Sequence, residues 1–287
     1  MNIIITGLIT GSMLALLAIG FSLIFGVARI VNIAHTAFYM VAAYCIYYLS
    51  IRLGLNAILS MLIAVVGVTL VGLLVYKLVI DPIREHEAAV LIATIALAMF
   101  FQEVILQLFT GDYRSVDFMV QGFFTIGGNK IFYQQLLTFG VVLVILLVVW
   151  FLLMKTRLGL AIRSTAEDRE VANLMGMNES RLAMITLAIS VALAGVTGAV
   201  IGPLMVLTPH MWMEPLIIMM AVVVLGGLGS IKGSFIAAFI LGFTEALVVF
   251  LVPTGAFLKG PVALSIMILV LLIRPEGLFG IAFEEER

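Results

Sequence analysis

The stretch Phe139–Arg181, FGVVLVILLVVWFLLMKTRLGLAIRSTAEDREVANLMGMNESR, decides the fold because its two parts have opposite character. The first part, Phe139–Met154, is almost entirely aliphatic and aromatic. The second part, Lys155–Arg181, holds nine charged side chains, in a chain that has only 15 basic and 16 acidic residues. A long apolar segment that runs directly into a charged one is typical of a helix leaving a bilayer. Lys155–Arg181 is therefore predicted to be a loop in water.

The composition of the whole chain also indicates a membrane protein. Of 287 residues, 64% are hydrophobic and 11% are charged, and the mean hydropathy is +1.28. Soluble domains carry about a quarter charged residues, and no soluble fold could cover so many apolar side chains. The net charge of −1 argues neither for nor against an anionic partner. Because Cys45 is the single cysteine, disulfides and redox pairs are excluded.

Hydropathy predicts nine membrane-spanning segments. Backbone groups in hydrocarbon must find partners within their own segment, so an all-α polytopic membrane protein is predicted, with residues 1–287 forming one domain. The first span is predicted to be retained rather than cleaved as a signal peptide, since no basic residue precedes Arg29. The nine spans cover residues 3–25, 30–50, 57–79, 88–110, 132–154, 182–207, 214–229, 233–253 and 258–274. The fifth span is predicted to face lipid.

The basic residues predict the orientation of these spans. If the loop at residues 155–181 is cytoplasmic and the sides alternate, the N-terminus lies outside and the C-terminus inside. Spans one to four and six to nine then run in opposite directions, as in the inverted repeats common among transporters. The cytoplasmic side collects most of the cations, as the positive-inside rule requires. The cytoplasmic cations are Arg29, Lys77, Arg84, Lys155, Arg157, Arg163, Arg169, Arg181, Lys232, Arg274 and Arg287. The cations on the outside are Arg52, Arg114, Lys130 and Lys259.

Small residues recur at four-residue spacing in the first helix of each half. Span one carries Gly7 and Gly11, and span six carries Ala194, Gly198 and Gly202 in line with Ser190. Such a ridge lets a neighbouring helix approach closely, so these positions are predicted to pack helix against helix.

A few polar side chains within the spans are candidates for the translocation path. Ionisable groups are costly in a bilayer, and interhelical hydrogen bonding or snorkelling is the alternative role for each of them. Asn32 and Thr36 are predicted to share a face near the cytoplasmic end of span two. The candidates are Asn32, His35 and Thr36 in span two, Glu103 in span four, and Thr244 and Glu245 in span eight.

Motifs of enzymes and nucleotide-binding proteins are missing from the sequence. There is no HExxH, GxSxG or CxxC, and the three histidines are too scattered to indicate a metal site. The segment Gly226–Gly233, GGLGSIKG, lacks the Walker spacing and is predicted to be a tight hairpin between two spans. Neither an enzymatic activity nor a cofactor of its own is expected for this chain.

Within the cytoplasmic loop, a short amphipathic helix is predicted at residues 165–175. Ser164 and Glu167 have the spacing of a capping box at its start, and Gly176 is a C-cap at its end. Val171, Leu174 and Met175 give it one apolar face. Membrane-surface helices favour basic polar faces, whereas this one begins with acidic residues, so a protein groove is favoured over lipid as its partner.

The same loop resembles a known docking motif. Glu170–Gly176 reads E-V-A-x-x-x-G, which is similar to the E-A-A-x-x-x-G coupling motif by which permeases of ATP-binding cassette (ABC) importers dock onto their ATPases. Val171 stands where the motif has its first alanine, and the downstream Leu-Pro of the motif is absent.

Across its whole length the chain resembles the branched-chain amino acid permease family, and in particular its smaller, H-type members. Thr36-Ala37 departs from the family, whose members often carry Gly and an acid there. The segments that carry the resemblance are Ile30–His35 (IVNIAH), Thr156–Arg163 (TRLGLAIR), Gly226–Ser230 (GGLGS) and Arg274–Gly280 (RPEGLFG).

The resemblance implies an importer subunit in a bacterial inner membrane. It implies a second, M-type permease, two ATPase subunits that bind ATP, and an external binding protein that delivers a branched-chain amino acid. The residues at 155–181 that would meet the ATPases are Arg163, Ala166, Glu167, Asp168, Glu170, Ala172, Leu174 and Gly176.

Three alternatives remain open from the sequence. A related ABC importer could carry urea, short amides or a simple sugar. A secondary transporter or channel would work without an ATPase and would depend strictly on Glu245 or His35. A membrane enzyme is the third alternative, and the absence of catalytic motifs disfavours it.

Overall fold

The structure, a computed structural model, describes residues 2–126 and 129–280, with the backbone alone at residues 126, 129, 169 and 170. Most of this part is helical, as predicted. The helices are α1 (Asn2–Ala28), α2 (His35–Tyr47), α3 (Ala57–Val75), α4 (Glu87–Phe109), α5 (Tyr133–Lys155), α6 (Arg157–Glu167), α7 (Arg169–Leu174), α8 (Glu179–Ile201), α9 (Met213–Gly226), α10 (Ile231–Leu251) and α11 (Gly255–Ile273). Two short antiparallel strands, β1 (Phe123–Ile126) and β2 (Asn129–Phe132), precede α5.

Seven helices among the described residues are long and apolar enough to cross a membrane. They are α1, α3 with its continuation to Ile83, α4, α5, α8 with its continuation to Leu204, α10 and α11. These helices coincide with seven of the predicted spans, and the chain is a multi-pass membrane protein. The other two predicted spans correspond to shorter helices. Helix α2 has 13 residues and continues as a π-helix over Tyr48–Arg52, and α9 has 14 residues.

The second helix begins later than the sequence predicts. Arg29 adopts a positive φ of 56°, which ends α1, and the following residues reverse the chain before α2 starts at His35. Asn32 lies in this reversal rather than on the helix. The prediction that Asn32 and Thr36 share a helical face is therefore wrong.

Helices α1 and α8 form the centre of the molecule. In α1, 78% of the membrane-spanning window is buried, and in α8, 67%, whereas only 6% of the window in α11 is buried. Helix α1 packs against α8, α9 and α10, and α8 packs against α1, α2 and α3. Helix α5 exposes a broad apolar face that includes Val144, Leu147 and Phe151, in agreement with the predicted lipid contact.

Glycines bring α1 and α10 into backbone contact. Gly242 of α10 lies directly against the backbone of Gly11, and a Cβ atom at Gly242 would collide with it. The ring of Phe243 packs over Gly7, and Phe239 packs over Gly11. Without side chains at these positions the two helices reach a separation at which many van der Waals contacts form.

The small residues of α8 lie against α2. Gly198 faces the carbonyl oxygen of Tyr39 so closely that a Cβ atom would collide with it. Gly202 faces Ala43, and Ala194 is completely buried. The ridge on α8 thus lies at a helix–helix contact, as the ridge on α1 does.

The hairpin between α9 and α10 is clamped by the last described residues. Gly227 and Gly229 have positive φ values of 100° and 81°, which confirms the predicted tight turn. The backbone N–H groups of Leu278 and Phe279 donate to the carbonyl oxygens of Leu225 (2.8 Å) and Gly226 (3.1 Å). The RPEGLFG segment therefore folds back onto the glycine-rich hairpin.

Candidate functional site

A sharp corner joins α5 to the cytoplasmic loop. The hydroxyl of Thr156 donates to the Leu152 carbonyl (2.6 Å) and accepts from the Gly159 N–H (3.1 Å), which caps the start of α6. Gly159 lies against the backbone of Leu152 and Leu153, where a Cβ atom would collide. Thr156 and Gly159 together hold α6 against the end of α5.

The loop contains two helices where the sequence predicts one. Ser164 lies inside α6, so the predicted capping box with Glu167 is wrong, because Thr156 already caps a helix that runs through both residues. Helix α6 ends at Glu167. Asp168 is extended, with φ −147°, and its Oδ1 accepts from the Val171 N–H (3.0 Å), which starts α7.

Helix α7 ends at Leu174, and Gly176 supports the C-terminal cap, as predicted. Gly176 has φ +84° and donates its N–H to the Asn173 carbonyl (2.9 Å), while the Met177 N–H donates to the Ala172 carbonyl (3.1 Å). This pair of bonds is a Schellman motif, which satisfies carbonyl groups that the helix leaves free. Asn178 then caps α8 by accepting from the Arg181 N–H (2.9 Å).

The apolar face of α7 is open. The side chain of Leu174 is 87% exposed and that of Met175 is 76% exposed, while Val171 is 52% exposed. Ala172 is buried and holds the helix against the rest of the chain. Large apolar side chains grouped in this way beside polar residues make this face a candidate interaction surface.

The other predicted coupling residues lie on both sides of this face. Arg163 is half-buried in α6, and Glu167 and Asp168 are exposed where α6 meets α7. Ala166 packs against Gly26 near the end of α1. For Glu170 only the backbone is described, so its side chain lies outside the described part. Helix α6 thus connects the α7 surface to the central helix α1.

A buried histidine joins three helices at the centre of the molecule. His35, at the start of α2, has its Nε2 3.1 Å from the carbonyl oxygen of Leu17 in α1 and its Nδ1 3.2 Å from the hydroxyl of Ser190 in α8. A carbonyl oxygen only accepts, so Nε2 carries the proton, and in the neutral ring Nδ1 accepts from Ser190. Gly20 leaves room for the ring. Both ring nitrogens of His35 therefore have partners within the chain.

Two polar side chains beside His35 lack partners. Both polar atoms of the Asn32 side chain and the hydroxyl of Thr36 are buried and have no hydrogen bond in the described part of the chain. A buried polar group without a partner costs about 1–3 kcal/mol, so these groups call for a partner outside the chain, such as a water, an ion or a ligand. Asn32, His35 and Thr36 are the predicted path residues that the fold brings together.

The remaining predicted path residues lie elsewhere. Glu103 is on the exposed face of α4, and Thr244 donates its hydroxyl to the Ile240 carbonyl of its own helix (2.8 Å). Glu245 is buried in α10, and its Oε1 has no partner among the described residues. No hydrogen bond within the described ranges connects these side chains to the His35 cluster.

Several interhelical hydrogen bonds had no signal in the sequence. The hydroxyls of Ser22 and Ser234 lie 2.6 Å apart and join α1 to α10, and the indole of Trp212 donates to the Gln102 amide oxygen (2.9 Å). Ser190 stands out in the sequence only as part of a small-residue ridge. Single serines in apolar segments are common, so their partners become visible only with the fold.

Comparison with known proteins assigns the chain to a family. Residues 3–273 match the family described as the permease component of the branched-chain amino acid transport system. The chain is 30% identical to the high-affinity branched-chain amino acid transport system permease protein BraD of Pseudomonas aeruginosa, over 96% of this chain and 94% of the relative. It is 28% identical to the LivH permease protein of Escherichia coli (96% and 93%) and 29% identical to the probable LivH of Methanocaldococcus jannaschii (97% and 92%).

A solved structure shares the fold. PsaBC from Streptococcus pneumoniae, in complex with Fab, superposes with a TM-score of 0.55 at 18% identity, covering 96% of this chain and 93% of that one. At that identity the likeness concerns the fold alone. The family match and the relatives, which are transport permeases rather than enzymes, lead to one conclusion: this chain belongs to the branched-chain amino acid transport system permease family.

Proposed function

We propose that the chain is the H-type permease subunit of an ABC importer that carries branched-chain amino acids across a bacterial inner membrane. Separate ATPase subunits bind ATP and dock on the cytoplasmic loop at residues 155–181. A second, M-type permease completes the pathway, and an external binding protein delivers the substrate. The names of the relatives support the substrate class.

The open apolar face of α7 carries the proposal. Leu174 and Met175 are almost fully exposed in a segment with the E-V-A-x-x-x-G pattern, and a soluble partner that covers them gains apolar contact. A push on α7 would pass through α6, where Ala166 touches Gly26 of α1. Helix α1 is central, so its displacement would alter the contacts of α8, α9 and α10 together.

The packing of the helices supports an inverted repeat of α1–α4 and α8–α11. Under this correspondence α1 is equivalent to α8 and α10 to α3. The contact of α1 with α10 then has its counterpart in the contact of α8 with α3, and the α2–α8 contact has one in α9–α1. Under the same correspondence, the contact of α1 with α8 would lie on the pseudo-twofold axis. Transporters built in this way open alternately to the two sides by rocking one half against the other.

The pathway is proposed to pass the unpartnered side chains of Asn32 and Thr36. A substrate with an apolar side chain needs few polar contacts within the membrane, but its ammonium and carboxylate groups need some. Asn32 offers both a donor and an acceptor, and neither is used within the part of the chain that the structure describes.

Substitution of Leu174 by alanine tests the docking surface. Burial of a leucine contributes about 1.5–3 kcal/mol, so we expect the ATPase subunits to bind roughly ten- to a hundredfold more weakly and leucine uptake to fall accordingly. Leu53→Ala is the matched control, since Leu53 is 55% exposed and lies in a loop that is predicted to be on the other side of the membrane. Affinity would be measured with the purified permease and its ATPases.

Two results would contradict the proposal. The docking surface is wrong if L174A binds the ATPases as tightly as L53A does. The substrate class is wrong if proteoliposomes containing the complete complex and its binding protein accumulate urea or a simple sugar in preference to leucine.

A further inference from the structure

A cleft of about 460 Å³ opens between the end of α1 and the start of α4, on the side predicted to be cytoplasmic. Its volume is within the range of pockets that hold small molecules. Phe25, Ile30 and Leu91 contribute an apolar wall, and the charged residues Arg29 and Glu87 also line the cleft. The cleft adjoins the chain reversal that carries Asn32.

Arg29 and Glu87, which line the cleft, have no partners within the described part of the chain. Neither the guanidinium of Arg29 nor the carboxylate of Glu87 has a hydrogen bond or an ion pair there, and the two groups do not reach each other. A third charged residue of the lining, Arg84, is instead paired with Asp81 at 3.3 Å. Among the described residues, the cleft therefore offers one free cation, one free anion and an apolar surface.

We propose that this cleft binds a free, zwitterionic amino acid with an apolar side chain on the cytoplasmic side of the permease. Arg29 binds the carboxylate, Glu87 binds the ammonium group, and Phe25, Ile30 and Leu91 contact the side chain. The inference rests on the proposed function and deepens it by assigning a site to the substrate after its passage. A site for an anionic lipid would be basic, whereas this cleft carries both signs of charge.

The backbone at Arg29 supports a binding role for this residue. Arg29 is one of only two non-glycine residues with positive φ among those described, and such a conformation is disfavoured for a residue with a side chain. A glycine at this position would adopt the same conformation without the steric cost, but it would have no positive charge. The position of Arg29 directly after α1 also places the bound amino acid next to the helix that α6 contacts.

Equilibrium binding of radiolabelled leucine to the complete transporter, in nanodiscs and without the binding protein, tests the site. Because each substitution removes a charge-assisted hydrogen bond to one end of the amino acid, R29Q and E87Q should each weaken binding roughly tenfold or more. Leucinamide, which lacks the carboxylate, and 4-methylpentanoate, which lacks the ammonium group, should compete poorly. The matched controls are Lys77→Gln and Glu85→Gln, which are exposed on the same side but do not line the cleft and should bind leucine normally.

The outcomes separate the cleft from the proposed function. If the wild-type complex takes up leucine but R29Q and E87Q bind it as the controls do, or if the wild type does not bind it at all, the cleft assignment is overturned and the importer stands. If binding disappears when phosphatidylethanolamine replaces phosphatidylcholine in the nanodiscs, a lipid headgroup occupies the cleft instead. Failure of both leucine uptake and leucine binding in the wild type would overturn both proposals.

Discussion

Single glycines set the distances between helices in this protein. At Gly198 the backbone of α8 approaches the Tyr39 carbonyl of α2 so closely that no side chain fits between them. Gly67, in the middle of α3, has nothing within 4 Å of the position that a Cβ atom would take. The same substitution should therefore have opposite effects at the two sites.

Gly198→Ala should destabilise the protein, and Gly67→Ala should not. Forcing a methyl group into a closed contact costs about 1–3 kcal/mol, whereas alanine in an open helical position gains about 0.5–1 kcal/mol over glycine. Thermal unfolding in detergent would show a lower midpoint for G198A and an equal or higher one for G67A. Equal midpoints for the two variants would mean that the α2–α8 contact is loose.

The spacing of small residues predicts that a helix has a close neighbour, but not which one. The ridge at Gly7 and Gly11 meets α10, and the ridge at Gly198 and Gly202 meets α2. Which helix packs against the ridge depends on contacts between residues that are far apart in the sequence, and the sequence of a single segment does not reveal them. The hydrogen bonds of His35 could not be predicted from the sequence for the same reason, because Leu17 and Ser190 belong to two other helices.

Among the elements, the cytoplasmic loop shows how competing local signals are resolved. S-x-x-E at Ser164 is a valid helix start in isolation. Thr156 is an earlier one, and Gly159 allows α6 to pack tightly against α5, so the earlier start prevails and Asp168 begins a second helix. The end of α7 was predictable, since Gly176 is the residue best suited to a left-handed C-cap.

Gly176→Val should uncouple ATP hydrolysis from uptake while membrane insertion remains normal. Valine in the left-handed region costs roughly 1–2 kcal/mol, and relief of that strain shifts the end of the docking helix. Gly54→Val is the matched control, because Gly54 has φ +66° and also has open space around it, but lies in the α2–α3 loop, which is predicted to be on the other side of the membrane. ATPase activity and leucine uptake would be measured together in proteoliposomes. If G54V uncouples ATP hydrolysis from uptake as strongly as G176V does, backbone strain alone explains the uncoupling. If G176V leaves the two activities coupled, α7 has no coupling role.

At the level of the whole molecule, hydropathy correctly predicted the seven described helices that are long enough to cross a membrane. It also predicted spans at the positions of α2 and α9, but it overestimated the lengths of these two helices. Helices α2 and α9 are short, and α2 contains His35 and several tyrosines, so apolar length alone describes them poorly. Helix α2 packs mainly against α8, and α9 packs against α1, so each lies next to one of the two central helices. A helix shielded by other helices has less need of a continuous apolar surface than one that faces lipid.

The predicted orientation has a direct test in cysteine labelling. With Cys45 replaced by serine, Gly54→Cys should react with a membrane-impermeant maleimide in intact cells. Asn173→Cys, exposed on α7, should react only after the membrane is permeabilised. This result follows if the cation-rich loop at 155–181 is cytoplasmic, as the distribution of Lys and Arg predicts. The reverse labelling pattern would invert the topology and remove the proposed ATPase contact.

The clamp on the α9–α10 hairpin constrains the order of assembly. The carbonyl groups of Leu225 and Gly226 receive their partners from residues 278 and 279, which are synthesised after α10 and α11. Until then the turn that joins α9 to α10 lacks two backbone bonds, although both helices come earlier in the chain. The second half of the protein therefore reaches its final form only once translation has passed Phe279, and a chain cut before that point would carry an open turn against α1.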